Sequence, residues 1–271
     1  MNAFARELDT ARVVALEAAA LVRRYRGPDI KVQLKIGDEP VTEADHAANA
    51  LIVGRLRDAF PRDAVLSEEL PDDETRLHAD RVWMVDPIDG TRDFIRGDDG
   101  FAVMIGLAVE GRPRVGVVCQ PAAARTYLGA AGAGAWREQT DGTRVALRTS
   151  SLAAPPGIRL VASKSHRNER IDALRTALEI RDEINVGSVG LKMGLVAAGD
   201  RDLYVYPGSK TKLWDTCGPE AILDASGGRV SDLDGHPLRY TGAELTNRRG
   251  IIASNGPLHA LVVAKLAAAG I

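Results

Sequence analysis

Apolar residues recur every three or four positions near the start of the chain, which predicts a helix over residues 3–25. A second helix is predicted over residues 42–60. Thr42 is a residue type that caps a first helical turn, and Pro61 stops the helix at its end. The chain therefore opens with two amphipathic helices.

Short apolar runs between polar turns predict strands in both halves of the chain. Predicted strands are 64–66, 81–85, 101–109, 114–120, 127–128, 135–137, 159–162 and 203–206, and further predicted helices are 168–178, 190–198 and 215–224. Strands and helices mixed through the whole length indicate a layered α/β or α+β enzyme fold.

A polar segment rich in serine, alanine and proline, residues 149–157, interrupts these elements. Such composition is typical of a connection between units. We therefore expect an N-terminal lobe over residues 1–150 and a C-terminal lobe over residues 151–271.

Composition narrows the class of protein. The 271 residues are 45% hydrophobic, and 35 basic against 37 acidic side chains give a net charge of -2. This balance argues against a binder of nucleic-acid polymers. No apolar run approaches the roughly 18 residues of a membrane span. Cys119 and Cys217 lie far apart, which predicts reduced thiols in a cytoplasmic protein.

The strongest chemical signal is the run Asp86–Thr91 (DPIDGT), directly after an apolar strand. Two carboxylates three residues apart, where a strand turns into a helix, can converge on one point. The helix start offers free N–H groups at Gly90, Thr91 and Arg92, which suit a phosphate. Carboxylates beside a phosphate need cations between them, and hard oxygen ligands suit Mg²⁺.

Two further acids end or begin predicted elements. Glu68 follows the strand at 64–66, and Asp215 begins the helix at 215–224. Asp86 and Asp89 alone could simply cap a helix. Acids at three separate element ends make a metal cluster the better interpretation.

Other metal and phosphate motifs fit less well. An EF-hand loop needs acids at alternate positions and a distant glutamate. The aspartyl-phosphate phosphatases carry acids two apart, so Asp86 is a weak candidate nucleophile. The segment Asp232–Gly235 does have its acids two apart, in a D-x-D-G pattern. However, short predicted strands at 229–230 and 238–240 flank it, which predicts a hairpin turn.

In this order and spacing, the segments Ser67–Glu69, Asp86–Thr91 and Trp214–Asp215 resemble the inositol monophosphatase superfamily of magnesium-dependent phosphatases. The upstream segment Val41–Asp45 is similar to an acidic segment of the same family. The resemblance covers nearly the whole chain. It implies a five-layered α-β-α-β-α sandwich and a Mg²⁺ cofactor of two or three ions.

The resemblance also implies a ligand set. Asp86 would bridge two Mg²⁺ ions. Glu68 and the backbone carbonyl of Ile88 would complete the first site, and Asp89 and Asp215 would hold the second. Glu69 would support these ligands from behind, because neighbouring side chains on an extended segment point apart.

The mechanism expected of this set is direct attack of a metal-activated water on phosphorus, without a phosphoenzyme. Thr91 and Asp45 would orient the water and take its proton, since a hydroxyl alone is a poor base. Glu68 would share in catalysis as a ligand. The N–H groups of Gly90 and Thr91 would hold the transferring phosphoryl oxygens.

Within the superfamily, two segments resemble the 3′(2′),5′-bisphosphate nucleotidases. They are Ser163–His166 (SKSH) and Gly187–Lys192 (GSVGLK). The residues implied to contact the nucleotide are Ser163, His166, Ser188 and Lys192. The implied reaction converts 3′-phosphoadenosine 5′-phosphate, a by-product of sulfate activation, to AMP and phosphate.

One position departs from the nucleotidase pattern. These enzymes often carry an arginine two residues after the tyrosine of a D-x-Y strand, and here Tyr206 stands there. Lys210 or Lys212, in the following loop, could supply the charge instead. The departure bears on the exact substrate, not on the metal chemistry.

Other functions remain open at this point. An inositol monophosphatase or a broad sugar phosphatase would share the metal core. A non-catalytic phosphate or nucleotide sensor would lack a metal ligand or the pair Thr91 and Asp45, and both are present. A scaffold would give no reason for acids at three element ends. The oligomeric state is not indicated by the sequence.

Overall fold

The computed structural model describes residues 3–28, 30–35, 37, 39–123, 125–164 and 169–270. Seven α-helices lie in this part of the chain. They are α1 Ala5–Arg24, α2 Glu43–Ala59, α3 Thr91–Ile95, α4 Glu169–Ala177, α5 Val189–Ala197, α6 Leu213–Ala225 and α7 His259–Ala268. A short 3₁₀ turn covers Thr75–His78.

The strands form a hairpin and two larger sheets. They are β1 Val32–Leu34, β2 Pro40–Thr42, β3 Ala64–Ser67, β4 Arg81–Asp89, β5 Ala102–Val109, β6 Arg112–Gln120, β7 Arg125–Ala130, β8 Gly134–Glu138, β9 Arg144–Ala146, β10 Arg159–Ser163, β11 Asp182–Val186, β12 Leu203–Tyr206, β13 Arg229–Ser231 and β14 Ile251–Ser254. Strands β1 and β2 pair with each other as the hairpin.

The larger sheet holds seven strands in the order β3-β4-β5-β6-β7-β8-β9, and only β3 and β4 run parallel within it. The smaller sheet has the order β11-β10-β12-β14-β13. All strands of the larger sheet precede residue 147, and all of the smaller sheet follow residue 158. The division into two lobes at residue 150 stays a prediction.

Five layers stack in the order expected. Helices α1 and α2 cover one face of the larger sheet, and α5 and α6 lie between the two sheets. Helices α4 and α7 pack on the outer face of the smaller sheet, over an apolar cluster that includes Leu160 and Val262. The α-β-α-β-α sandwich is therefore confirmed. None of the helices in the described residues is long and apolar enough to cross a membrane.

Helix α6 lies unusually close to the larger sheet because glycines face each other there. A Cβ on Gly116 would lie 1.9 Å from the carbonyl oxygen of Gly218 in α6, and one on Gly106 would lie 2.4 Å from the Gly218 nitrogen. Cys217 is buried beside them, and Cys119 is buried in the sheet. Both cysteines are unpaired, as predicted. This close contact sets the distance between helix α6 and the larger sheet.

Local predictions succeeded where the periodic signal was long. Helix α2 begins as expected, since Thr42 is its N-cap and forms a reciprocal capping box with Asp45. The hairpin predicted around Asp232–Gly235 is only half right. Strand β13 precedes the turn, but residues 238–240 form no strand, and β13 pairs with β14 instead.

Candidate active site

The DPIDGT run lies at an irregular strand end. Strand β4 continues to Asp89, and its pairing with β5 shifts register between Asp86 and Asp89. Gly90 follows with a φ of +94°, and a Cβ there would lie 2.8 Å from the Gly100 carbonyl oxygen. Glycine is therefore required at this turn. Helix α3 then begins at Thr91, and its first N–H groups have no partner within the helix.

The other two predicted ligands come from neighbouring elements. Glu68 follows β3, which runs parallel to β4, so both strands end at the same edge of the sheet. Asp215 lies in the first turn of α6, where its Oδ2 accepts a hydrogen bond of 2.8 Å from the Lys212 backbone nitrogen. Three separate elements thus bring their acids to one place.

A cleft of about 330 Å³ opens at this place. The predicted site residues that line it are Glu68, Asp86, Ile88, Asp89, Gly90, Thr91, Ser163, Lys192 and Asp215. Asp45 and Ser188 are buried behind the wall of the cleft. His166 lies outside the described residues. The structure therefore brings together the carboxylates that the sequence singled out.

The carboxylates crowd one another. Burial raises the pKa of Asp86 well above its ordinary value, and the charges of Glu68, Asp89 and Asp215 raise it further. The pKa of Asp215 is raised in the same way, first by burial and then by Asp89 and Glu68. Buried like charges of this kind are stable when a cation lies among them. All-oxygen donors fit Mg²⁺, so the residues present suit the metal that the resemblance implies.

Sequence reasoning missed Lys35 at this cluster. Its Nζ lies 2.7 Å from Oε1 of Glu68 and 2.6 Å from Oε1 of Glu69. Only its position ten residues before the acid Asp45 could have drawn attention to it. One ammonium group neutralises only part of the negative charge of the carboxylates, so further cations would stabilise the cluster.

Thr91 and Asp45 meet as predicted. The Thr91 hydroxyl lies 3.3 Å from Oδ1 of Asp45 and 3.0 Å from the Ile88 carbonyl oxygen. The other oxygen of Asp45 accepts from the backbone and hydroxyl of Thr42, at 2.8 and 2.6 Å. Burial raises the pKa of Asp45, and the Thr42 hydrogen bonds oppose this rise. Asp45 is held as an acceptor aimed at Thr91.

Besides Lys35, four lysines line the cleft: Lys164, Lys192, Lys210 and Lys212. The most enclosed is Lys192, at 1% exposure, and burial lowers its pKa to about 8. Its Nζ donates to the Gly187 carbonyl at 2.6 Å. We name these four residues the lysine wall.

The remaining members of the lysine wall are nearer to solvent. Lys164 lies 3.4 Å from Oδ2 of the buried Asp93. Lys212 donates to the Thr246 hydroxyl at 2.9 Å, and Lys210 is exposed. The wall therefore places positive charge at several depths beside the carboxylates. Lys164 belongs to the SKSH segment, but the resemblance does not imply it as a substrate contact.

Tyr206 stands where the bisphosphate nucleotidases often carry an arginine, and it contacts the loop that carries Lys210 of the lysine wall. A Cβ on Gly208 would lie 2.5 Å from the Tyr206 hydroxyl oxygen, so the ring end packs beneath the loop. The hydroxyl also meets the backbone of Lys210. Tyr206 supplies no charge, and it holds the loop that carries Lys210.

A second acidic group lies at the turn after β13. Ligand atoms of Asp232, Asp234 and His236 lie within 4.8 Å of one another. Oδ1 of Asp232 accepts from the backbone nitrogens of Asp234 and His236, at 3.0 and 2.8 Å, and Asp234 is paired with Arg249. These contacts stabilise the turn, and they explain why the three side chains lie close together.

Comparisons with known proteins agree with this arrangement. The chain matches the inositol monophosphatase family over residues 5–270. It is 38% identical over 227 residues to the 3′(2′),5′-bisphosphate nucleotidase CysQ of Escherichia coli (strain K12), covering 83% of this chain and 89% of that protein. It is 36% identical over 223 residues to a 3′-phosphoadenosine 5′-phosphate phosphatase of Mycobacterium bovis, covering 78% of each.

Among solved structures, the chain is similar to CysQ from Bacteroides thetaiotaomicron. The two share 29% identity with a TM-score of 0.77, over 93% of this chain and 98% of that one.

Proposed function

The chain belongs to the inositol monophosphatase family, a family of metal-dependent enzymes, and we propose that it hydrolyses 3′-phosphoadenosine 5′-phosphate to AMP and phosphate with Mg²⁺. The observation that carries this proposal is a cleft lined both by Glu68, Asp86, Asp89 and Asp215 and by the lysine wall. In a substrate with two phosphates, one phosphate would meet the cations held by the carboxylates and the other would meet the lysines. The names of the relatives in Escherichia coli and Mycobacterium bovis support the same substrate.

The metal ligands we propose are Glu68, Asp86, Asp89, Asp215 and the carbonyl of Ile88. Two or three divalent cations held there would lower the pKa of the attacking water and neutralise the leaving oxygen. The crowding that raises the pKa of Asp86 and Asp215 supports this assignment, because bound cations would relieve it.

Thr91 and Asp45 orient the water in this proposal. When the Thr91 hydroxyl donates to Asp45, its lone pairs face the cleft and accept from the water. The proton can then pass through Thr91 to the carboxylate behind it. The water oxygen bonds to the 3′ phosphorus, the bond from phosphorus to the ribose oxygen breaks, and a proton returns to that oxygen.

The start of α3 holds the phosphoryl group. The amides of Gly90 and Thr91 have no acceptor inside the helix, so they would be available to the phosphoryl oxygens on which charge develops. The lysine wall would hold the second phosphate, because charge-assisted hydrogen bonds to phosphate are strong. Ser163 also lines the cleft, and His166 remains a proposed contact on the resemblance alone.

The test is phosphate release from 3′-phosphoadenosine 5′-phosphate, inositol 1-phosphate and fructose 1,6-bisphosphate, each with and without Mg²⁺. We expect the nucleotide to have the highest kcat/KM and all release to require the cation. A higher kcat/KM for inositol 1-phosphate would instead make the protein an inositol monophosphatase, and a higher value for fructose 1,6-bisphosphate would make it a sugar phosphatase. No release from any ester with Mg²⁺ present would contradict an enzymatic function.

A further inference from the structure

Ser188 has a role that differs from a substrate contact. It is completely buried at the N-cap of α5 and does not line the cleft. Its hydroxyl donates to Oδ2 of Asp89 at 2.6 Å and accepts from the Leu191 backbone nitrogen at 3.1 Å. A serine hydroxyl has a single proton, and here that proton is donated in the hydrogen bond to Asp89. None is left for a phosphate oxygen.

Oδ2 of Asp89 also accepts a hydrogen bond from the backbone. The backbone nitrogen of Gly190 donates to the same oxygen at 3.0 Å, and the Val189 backbone also contacts the carboxylate. Donors from the start of α5 therefore occupy Oδ2. Asp89 lines the cleft, and Oδ1, which accepts neither of the bonds from Ser188 and Gly190, is the oxygen available to a ligand there.

The contact joins two distant parts of the chain. Asp89 ends β4 of the larger sheet, whereas Ser188 lies 99 residues later, at the start of a helix between the sheets. We infer that Ser188 is a positioning residue that fixes the rotation of the Asp89 carboxylate, so that Oδ1 is presented to a divalent cation. This inference rests on the proposed function, because it takes Asp89 as a metal ligand.

The physical reason is the preorganisation of the ligand. A carboxylate on a short side chain can rotate about its Cβ–Cγ bond, and each rotation moves both oxygens. Hydrogen bonds to one oxygen hold the other in place, and such partners behind a ligand affect metal affinity strongly. Loss of the Ser188 hydroxyl leaves only backbone donors on Oδ2 and loosens the α5 cap at the same time.

The experiment measures Mn²⁺ binding by isothermal titration calorimetry, without any substrate, on the full chain. The variants are Ser188→Ala and Ser188→Cys, the second of which fills a similar space with a weak donor. Ser254→Ala is the matched control. Ser254 is also completely buried, and its hydroxyl contacts Nδ1 of His259 at 2.9 Å, in a strand that does not line the cleft.

We expect Ser188→Ala to raise the Kd for Mn²⁺ by about tenfold, Ser188→Cys to raise it less, and Ser254→Ala to leave it unchanged. At saturating Mn²⁺ the KM for the nucleotide should stay within about twofold of the wild-type value, because the phosphate contacts are intact. If Ser188→Ala does not fold, Ser188→Cys alone must show the weakened binding.

Asp89→Asn separates failure of this inference from failure of its premise. Wild-type Mn²⁺ affinity in Asp89→Asn would overturn Asp89 as a ligand, and the inference with it. Weak binding in Asp89→Asn together with wild-type binding in both Ser188 variants would overturn the positioning role only. A raised KM for the nucleotide with unchanged Mn²⁺ binding would return Ser188 to a direct substrate contact.

Discussion

Two acids of helix α6, Asp215 and Glu220, lie in different surroundings. Asp215, in the first turn, lies close enough to Asp89 and Glu68 for their charges to raise its pKa. Glu220, farther along, is 6% exposed, and its Oε2 accepts from the Tyr240 hydroxyl at 2.5 Å. Burial raises the pKa of both, for Glu220 to about 8. Burial alone therefore does not distinguish the two acids. The charges of Asp89 and Glu68 add to the effect of burial at Asp215, and that of Asp224 adds to it at Glu220. The difference is that the neighbours of Asp215 are the other proposed metal ligands.

The largest effect should come from breaking the crowded set. Asp89→Asn removes the charge of one proposed ligand while conserving the shape of the side chain. We expect kcat/KM for the nucleotide to fall at least about 100-fold, since a metal supplies several kcal/mol of transition-state stabilisation. Phosphate release measures this. The matched control is Glu220→Gln, which alters a buried acid that does not line the cleft and should keep near-wild-type activity.

Addition of Mg²⁺ should stabilise the folded protein. At a concentration about 100 times Kd, binding adds about 2.7 kcal/mol to the free energy of unfolding. For a chain of this size the melting temperature then rises by about 5–10 °C. Differential scanning calorimetry with Mg²⁺ and with EDTA checks this. With Mg²⁺, the melting temperature of Glu220→Gln should rise as much as that of the wild type, and that of Asp89→Asn should rise less. Equal rises in both variants would show that Asp89 is no more a metal ligand than Glu220 is.

The dependence of stability on pH gives a further test of the comparison, at Glu220. Its pKa is near 4.5 when unfolded and about 8 when folded, so between these values the folded state binds more protons than the unfolded state. The contribution of Glu220 to stability is therefore lost as pH rises through this window, by at most about 1.4 kcal/mol per pH unit. Glu220→Gln lacks this loss.

Urea unfolding at pH 5, 7 and 9 measures the Glu220 effect as the difference between wild type and Glu220→Gln. The difference should grow in favour of the variant as pH rises, and Mg²⁺ should not alter it, because Glu220 is not a cleft residue. A difference that is independent of pH would show that Glu220 stays ionised in the folded protein.

The smallest effect concerns the lysine wall. Lys210 is exposed at the cleft, so Lys210→Ala should fold normally and raise the KM for 3′-phosphoadenosine 5′-phosphate by about threefold to tenfold, the range expected of one solvent-screened contact to a phosphate. Inositol 1-phosphate has no second phosphate, and its KM should stay the same. Equal changes for both esters would place the second phosphate elsewhere.

How far the sequence predicts this molecule depends on the range of each interaction. Asp86, Asp89, Glu68 and Asp215 could be found because each ends or begins an element with a clear apolar pattern. The cap of α2 by Thr42 is likewise local. The five-layered order came from the family resemblance and could not come from spacing, since it depends on which faces of the helices meet which sheet.

Other features depend on contacts that no local pattern shows. Strand β11 has mostly polar residues and lies at a sheet edge, so no apolar run marks it. The contact of Lys35 with Glu68 spans 33 residues, and that of Ser188 with Asp89 spans 99. A carboxylate that looks like a ligand in sequence thus acquires its orientation only in the folded chain.

The most direct test of the metal cluster is a crystal of the full chain grown or soaked with Mn²⁺ and measured at a wavelength where manganese scatters anomalously. We predict two or three anomalous peaks within coordination distance of Glu68, Asp86, Asp89 and Asp215. A cleft without a peak, with manganese bound instead at the turn of Asp232, Asp234 and His236, would contradict the account.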